Sequence, residues 1–312
     1  VFSLREIKTI IDFLREQMLF SDTAEITIEA NPDDLTTGYL KGLLDTGVNR
    51  LSMGIQSFND ELLKKMNRRH NASQAIKAVE EAEKSGFKNL SIDLIYGLPG
   101  LNSKKWKESL LVAYAMPVQH LSAYHLTYHK GTPFYTWLKK GVIHPVSEKE
   151  SISQFDILID SSVEAGFEQY EISNFARENC YSRHNTSYWN DVKYLGLGPS
   201  AHSYNGRSRR WNIASTTNYI NAIEKGLTFS DYEVLTENER FNEYILTRLR
   251  TKWGILIEEM EELFGQLKTN YLLEQTKNFA EKNLLNIEKG AIILSRKGML
   301  ISDDIMASLV VI

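Results

Sequence analysis

The chain has 312 residues, 36 basic and 40 acidic side chains and 42% hydrophobic residues, which is typical of a soluble globular protein of about two domains. No apolar run approaches the roughly 20 residues that a membrane span needs, although this leaves peripheral membrane association open. A net charge of −4 gives no sign of binding to a phosphate backbone. The single cysteine, Cys180, excludes an intramolecular disulfide and fits a reducing, cytoplasmic location.

The first residues, Val1 to Arg5, lack both the basic and the apolar regions of a secretory signal, and there is no initiator methionine. We therefore expect the chain to be a piece of a longer protein.

The first half of the chain alternates helical and strand-like patterns. Periodicity predicts helices at Leu4–Met18, Thr36–Leu44, Ser73–Lys84 (with Ser73 as N-cap) and Ser103–Met116, and strands at Glu25–Asn31, Arg50–Gln56, Leu90–Tyr96 and His120–Thr127. Strands that alternate with helices indicate an α/β fold of parallel strands, either a barrel or an open sheet. Because the order begins with a helix, we expect at least one preceding strand to be absent.

The second half of the chain has a different sequence pattern. The stretch from Asp160 to Asn212 is irregular and rich in aromatic residues. Beyond it the pattern predicts helices at Asn238–Leu249 and Thr269–Lys282, a hairpin at Leu284–Ser295 turning at Glu288–Gly290, and a short helix at Lys297–Met306. This order suggests a small winged-helix-like α+β domain at 230–312, after a first domain at 1–229. From Ser230 onward there are 10 basic and 14 acidic residues, a charge that argues against nucleic-acid binding.

Three predicted strands carry a polar side chain in their C-terminal half: Glu29, Gln56 and Asp93. Ligands bind at the carboxyl ends of parallel strands, so these side chains could together hold the hydroxyls and ammonium of a polar cofactor. The alternative is that each is a satisfied polar residue at a strand–loop junction.

Two further segments could contribute to a site. In Asn67-Arg68-Arg69-His70, a guanidinium could bind a carboxylate bidentately, or the segment is a solvated helix end. His184-Asn-Thr-Ser-Tyr188-Trp189 combines a histidine with aromatic residues and could ligate a metal in a flat macrocycle such as heme. Alternatively, His184 caps a loop and the aromatic residues fill the end of the barrel. We interpret His120, His125 and His129 as structural.

Several motifs then occur in a fixed order: Ile28-Glu-Ala-Asn-Pro-Asp33, Arg50-Leu-Ser-Met-Gly-Ile-Gln-Ser-Phe58, Asn67-Arg68, Ile92-Asp-Leu-Ile-Tyr-Gly-Leu-Pro99 and Tyr170-Glu-Ile-Ser-Asn174. Together they resemble the oxygen-independent coproporphyrinogen III oxidase-like branch of the radical S-adenosylmethionine (SAM) proteins. The run from His184 to Trp189 resembles the signature of the HemW heme chaperones within that branch.

The resemblance implies an incomplete (β/α)6 barrel, here a partial parallel barrel without its first strands, followed by a winged-helix-like domain. It puts Glu29, Gln56, Arg68 and Asp93 on the SAM-binding positions, with Thr127 as a less certain fifth. It implies that Arg68 pairs with the methionine carboxylate and that the acidic and amide side chains bind ribose hydroxyls or the amino group. It makes His184 the heme ligand, with Tyr188 and Trp189 packing beside it.

One departure is large. The family binds a [4Fe-4S] cluster through a Cys-x-x-x-Cys-x-x-Cys loop upstream of the region where this chain begins, and the chain has only Cys180. No metal ligands are therefore assigned here, and the cluster is expected only in the longer protein.

The resemblance leaves two functions open. One is a heme chaperone that binds heme, SAM and the cluster and delivers heme to acceptor proteins. The other is coproporphyrinogen III oxidase, an oxidoreductase of porphyrin biosynthesis that decarboxylates propionates by a 5′-deoxyadenosyl radical. The same SAM-site residues serve both, and the His184–Trp189 run favours the chaperone.

Overall fold

The computed structural model describes residues 2–311. The chain divides into two compact units, which meet in sequence between Ser182 and Arg183. Each unit is described by itself below.

The first unit alternates strands and helices. Its elements are α1 (Leu4–Gln17), β1 (Thr27–Ala30), a 3-10 turn (Pro32–Asp34), α2 (Thr37–Thr46), β2 (Arg50–Gln56), α3 (Asp60–Lys65), α4 (Ala72–Ser85), β3 (Asn89–Tyr96), α5 (Ser103–Ala115), β4 (His120–His125), α6 (Pro133–Lys139), α7 (Glu148–Glu164), β5 (Glu168–Glu171) and β6 (Asn174–Ala176). All four helices and all four strands predicted before residue 130 are present, with ends shifted by a few residues.

The strands form one six-stranded sheet in the order β1-β2-β3-β4-β6-β5. The first four are parallel, as the alternation with helices predicted. The last two join antiparallel to β4 and to each other, and the sequence pattern missed them. The α/β class is therefore confirmed, as an open mixed sheet rather than a closed barrel.

The helix ends follow local capping chemistry. The N-cap of α4 is Asn71, two residues before the predicted Ser73, because Asn71 and Gln74 form a reciprocal capping box. Gly86 ends the helix, with a left-handed φ of 118° that glycine adopts without steric cost.

A buried glutamine holds the turn that follows β3. Gln154 on α7 is fully buried, accepts from the backbone N–H of Gly97 at 2.9 Å and donates to the carbonyl of Leu101 at 3.0 Å. Its own carbonyl accepts from the indole Nε1 of Trp106 at 2.9 Å. α7 thus fixes the loop at the carboxyl end of the central strand β3.

The second unit contains α8 (Arg183–Trp189), β7 (His202–Tyr204), β8 (Ser208–Asn212), α9 (Thr216–Glu224), β9 (Ser230–Val234), α10 (Glu237–Arg248), β10 (Ile255–Leu256), α11 (Ile257–Glu281), β11 (Leu285–Glu288), β12 (Ala291–Leu294), α12 (Arg296–Met299) and α13 (Ser302–Leu309). The predicted α10 and the β11–β12 hairpin are present. α11 begins twelve residues before the predicted Thr269, with non-helical backbone at Gly265.

Two three-stranded sheets organise this unit, in the orders β7-β8-β9 and β10-β12-β11. The expectation of irregular structure up to Asn212 was wrong, because α8, β7 and β8 all lie in that stretch. The unit boundary also falls before Arg183, whereas we expected domains at 1–229 and 230–312. The physical reason is that β9 pairs with β8 along its whole length, so a division at 229/230 would separate two hydrogen-bonded strands.

No helix within residues 2–311 combines the length and the apolar character needed to cross a membrane.

Replacing Gln154 by leucine should test the α7 anchor. The change leaves a buried N–H and a buried carbonyl without partners, so we expect the free energy of unfolding to fall by about 2–4 kcal/mol. Urea unfolding followed by tryptophan fluorescence measures this. Gln17→Leu, at an exposed position of α1, is the control. Equal stability of the two variants would contradict the anchor.

Candidate functional site

A row of polar side chains crosses the sheet of the first unit. Glu29 of β1 pairs in register with Ser52 of β2, Ser52 with Ser91 of β3, and Ser91 with His120 of β4. Side chains two residues apart on a strand share a face, so Asp93 lies on this face one step nearer the carboxyl end. The pairing therefore brings Glu29 and Asp93 to one face of the sheet, as the strand pattern predicted.

Gln56 reaches this face through an irregularity in β2. Met53 pairs with Ile92, but Gln56 pairs with Leu94, so β2 contains one residue more than β3 between these two pairs. Gln56 itself has a left-handed φ of 68°. A Cβ at Gly54 would lie 2.8 Å from Gln56 Nε2 and 3.2 Å from the Arg68 guanidinium. A side chain at position 54 would therefore displace the ends of two site side chains, Gln56 and Arg68.

Arg68 follows α3 and points back to β2. Its Nη2 donates to the carbonyl of Gly54 at 3.3 Å. Partial burial lowers the pKa of this guanidinium, while the carboxylates of Asp33 and Asp93 act in the opposite direction. An arginine remains charged under these conditions, so the site keeps a cation beside an amide and a carboxyl group.

Asp93 is the electrostatic centre of the site. Burial raises its pKa from 3.8 to about 6, and the Glu29 carboxylate adds to the rise; a hydrogen bond from Ser122 and the cations Arg50 and Arg68 oppose it. The carboxyl group therefore changes charge close to neutral pH. A carboxyl group with such a pKa in a cluster of polar side chains is typical of functional sites.

Thr127 stands apart from this group. It is exposed, lies two residues beyond the end of β4, and its hydroxyl shares a hydrogen bond with His129 Nε2 at 3.0 Å. Among the hydrogen bonds and ion pairs of residues 2–311, none joins Thr127 to the other four side chains, and its assignment to the site stays a prediction.

The structure adds Asn174, which we did not assign to the site. It lies on β6 opposite Ser122 and donates to Glu171 Oε2 at 2.6 Å. Its Oδ1 is buried and has no hydrogen-bond partner. A buried acceptor without a donor is costly, which indicates that a donor such as a ligand hydroxyl or ammonium belongs there. The antiparallel β6 hid this residue from sequence reasoning.

The residues fit SAM but not a cluster. Two carboxyl groups, a primary amide, a guanidinium and an unpartnered amide oxygen match the ammonium, carboxylate and ribose hydroxyls of SAM. By contrast, residues 2–311 contain no group of three histidine, cysteine or acidic side chains that could hold a metal ion. The [4Fe-4S] cluster is therefore not assigned to these residues.

The predicted heme segment forms α8 in the second unit. His184 and Tyr188 lie one turn apart on the same face, with ring centroids 4.9 Å apart and the rings edge-to-face at 87°. The His184 side chain is exposed, so its imidazole can reach a ligand iron from this face. Tyr188 in turn meets Tyr194 edge-to-face at 4.7 Å, which orients its ring.

Trp189 lies about 100° further around the helix than Tyr188. Arg250 stacks over its ring at 5.5 Å, and its indole Nε1 is buried without a hydrogen-bond partner. Tyr188 therefore lies beside His184 as expected, whereas the ring contact seen for Trp189 is with Arg250.

The histidines around β4 have structural partners. His120 is buried between the hydroxyls of Ser91, at 2.8 Å, and Tyr170, at 2.7 Å. Burial lowers its pKa well below the usual value, so the ring is neutral. His125 shares a hydrogen bond with Ser151 at 3.0 Å. These contacts agree with the structural interpretation.

Comparison with known proteins places the chain in a family. The Radical SAM superfamily profile matches residues 2–113, and the HemN C-terminal domain profile matches residues 235–301. The heme chaperone HemW of Bacillus subtilis (strain 168) is 34% identical over 98% of this chain and 81% of its own length. That of Lactococcus lactis subsp. lactis (strain IL1403) is 30% identical over 98% and 80%.

A solved structure shares the fold. The coproporphyrinogen III oxidase HemN of Escherichia coli, described as a radical SAM enzyme, superposes with a TM-score of 0.83 over 99% of this chain and 74% of its own, at 22% identity. This likeness concerns the fold alone. By the extent of its identity to the HemW proteins, the chain belongs to the HemW family of the radical SAM superfamily.

Proposed function

We propose that this protein is a heme chaperone that binds heme and SAM and delivers heme to acceptor proteins. The observation that carries the proposal is the exposed His184 imidazole held edge-on by Tyr188 on α8. An exposed imidazole suits a protein that must release its heme, because the iron can exchange the ligand without unfolding the site.

The SAM site is assigned to the sheet face of the first unit. Arg68 pairs with the carboxylate of SAM, while Glu29, Gln56 and Asp93 bind its ammonium and hydroxyls; Asn174 Oδ1 accepts a further donor. Bound SAM would supply its sulfonium-linked adenosyl group, and heme would supply an iron that the His184 imidazole could ligate. Any [4Fe-4S] cluster would take its thiolates from outside these 312 residues.

The oxidase alternative receives no separate support. Its SAM-binding residues would be the same four, and the structural likeness to HemN, at 22% identity, carries only the fold. A cytoplasmic location and transfer to acceptor proteins belong to the chaperone proposal, with Cys180 as the single thiol consistent with a reducing compartment.

Arg68→Ala should weaken SAM binding. Loss of a charge-assisted pair is expected to reduce affinity about 10- to 100-fold in isothermal titration. Arg68→Lys should recover only part of it, since an ammonium cannot form the two parallel bonds of a guanidinium. Arg5→Ala, on exposed α1, is the control. Unaltered affinity in Arg68→Ala would refute the carboxylate role.

The pKa of Asp93 predicts opposite effects on binding and on stability. SAM donors need the ionised carboxylate, so affinity should fall as pH decreases through about 6, and Asp93→Asn should remove this dependence. Folding raises this pKa above 3.8, so the free energy of unfolding should fall as pH rises from about 4 to 6 and then stay at the lower value above pH 6.

Asp93→Asn should therefore bind SAM less tightly and yet unfold at a higher urea concentration at pH 7. Titrations and urea unfolding at pH 5 and pH 7 test this pair of effects. A variant that binds SAM as the parent does at both pH values would remove Asp93 from the site.

His184→Ala should abolish the Soret shift that reports ligation of the hemin iron by imidazole during titration. The imidazole supplies the iron ligand, and the remaining aromatic contacts are non-specific. His202→Ala, another exposed histidine of the second unit, is the matched control. If both variants show the same Soret shift with hemin, His184 is not the ligand.

A further inference from the structure

A second cavity lies in the first unit, apart from the polar face. It has a volume of about 390 Å³ and opens between α3, the turn after β3, and α6 with the loop beyond it. Its ten lining residues are Leu62, Lys64, Lys65, Met66, Leu98, Pro99, Phe134, Trp137, Val142 and Ile143. The volume is in the range of small-molecule sites, and eight of the ten residues are apolar.

The aromatic wall of this cavity comes from α6 and is only partly covered by the rest of the protein. Phe134 and Trp137 lie on α6 with ring centroids 5.3 Å apart. α6 has the sequence Pro-Phe-Tyr-Thr-Trp-Leu-Lys, yet none of its residues is buried. Val142, just beyond, is 66% exposed. Half-buried aromatic side chains that line a cavity are typical of small-molecule sites.

Two lysines complete the lining. Lys64 and Lys65 end α3, and both are exposed. The Lys65 ammonium lies against the turn after β3, 3.3 Å from the position of a Cβ on Gly100. Among the ion pairs of residues 2–311, none involves either lysine. Two ammonium groups without ion-pair partners, next to an aromatic-lined cavity, complement a rigid apolar ligand that carries carboxylates.

We propose that this cavity binds a tetrapyrrole by its ring face and its propionates, as a site separate from His184. The inference rests on the proposed function, because a heme chaperone encounters tetrapyrroles, which combine an apolar ring with carboxylates. Phe134 and Trp137 stack on part of the macrocycle, and Lys64 and Lys65 pair with the propionates at the open edge. No histidine lines the cavity, so recognition uses the ring and the carboxylates and does not require iron.

Metal-free protoporphyrin IX is the probe that separates the two sites. Porphyrin fluorescence is followed during titration with the chain, alongside the dimethyl ester, which lacks the charges. We expect saturable binding that weakens about five- to tenfold in Lys64→Ala/Lys65→Ala and about tenfold in Trp137→Leu. The ester should bind the parent as weakly as the acid binds the double-lysine variant.

Two control variants make the test specific. Lys84→Ala/Lys88→Ala removes two exposed lysines elsewhere on the first unit and should bind protoporphyrin as the parent does. His184→Ala should also bind it normally, although hemin binding at α8 is lost. Circular dichroism checks that each variant is folded, and the exposed lysine pair is the variant least able to disturb folding.

The proposal is overturned if protoporphyrin shows no saturable binding, if the double-lysine and Trp137 variants bind like the parent, or if the ester binds as well as the acid. It is also overturned if His184→Ala removes protoporphyrin binding, because the porphyrin then sits at α8. Failure of the chaperone proposal looks different: hemin would show no His184-dependent Soret change, whatever protoporphyrin does.

Discussion

The parallel pairing of β1 to β4 is the constraint on which the site of the first unit depends. It brings the carboxyl ends of four strands to one edge and aligns Glu29, Ser52, Ser91 and His120 in a single row. Because alternate side chains of a strand point to the same face, Asp93, two residues after Ser91, lies on the same face as this row. A slip of one residue in any strand would turn its polar side chains away from the site.

This arrangement has a cost that a bound ligand would reduce. The sheet face buries a carboxyl group far enough to raise its pKa to about 6 and leaves the Asn174 Oδ1 without a donor. Both features destabilise the protein without bound ligand. Residues that reduce stability at the carboxyl ends of strands are expected where binding has been favoured over packing. His120, in contrast, has hydroxyl partners on both ring nitrogens and contributes to the core.

Local chemistry made much of the fold predictable. The alternation of helices and strands up to residue 130 indicated the parallel class, and strand period alone placed Glu29 and Asp93 on one face. Gln56 reaches that face through the irregular pairing of β2 with β3. Arg68 needed the family resemblance, since its approach to Gly54 depends on a tertiary contact and on the irregular pairing of β2 with β3.

The rest depended on long-range pairing that no local pattern encodes. β6 joins β4 antiparallel across more than fifty residues of sequence, and so Asn174 was missed. β8 lies in the segment that we expected to be irregular, and its pairing with β9 makes that segment part of the second unit. The contact of Trp189 with Arg250 likewise joins residues 61 positions apart. Helix periodicity separates Trp189 from His184 but does not identify its partner.

The central claim is that an imidazole on α8 ligates heme iron. The electron paramagnetic resonance spectrum of the chain loaded with ferric heme reports the axial ligand directly. The account predicts a nitrogen-ligated signal in the parent protein that is lost in His184→Ala and kept in His202→Ala. An identical nitrogen-ligated spectrum in the parent and in His184→Ala would contradict it.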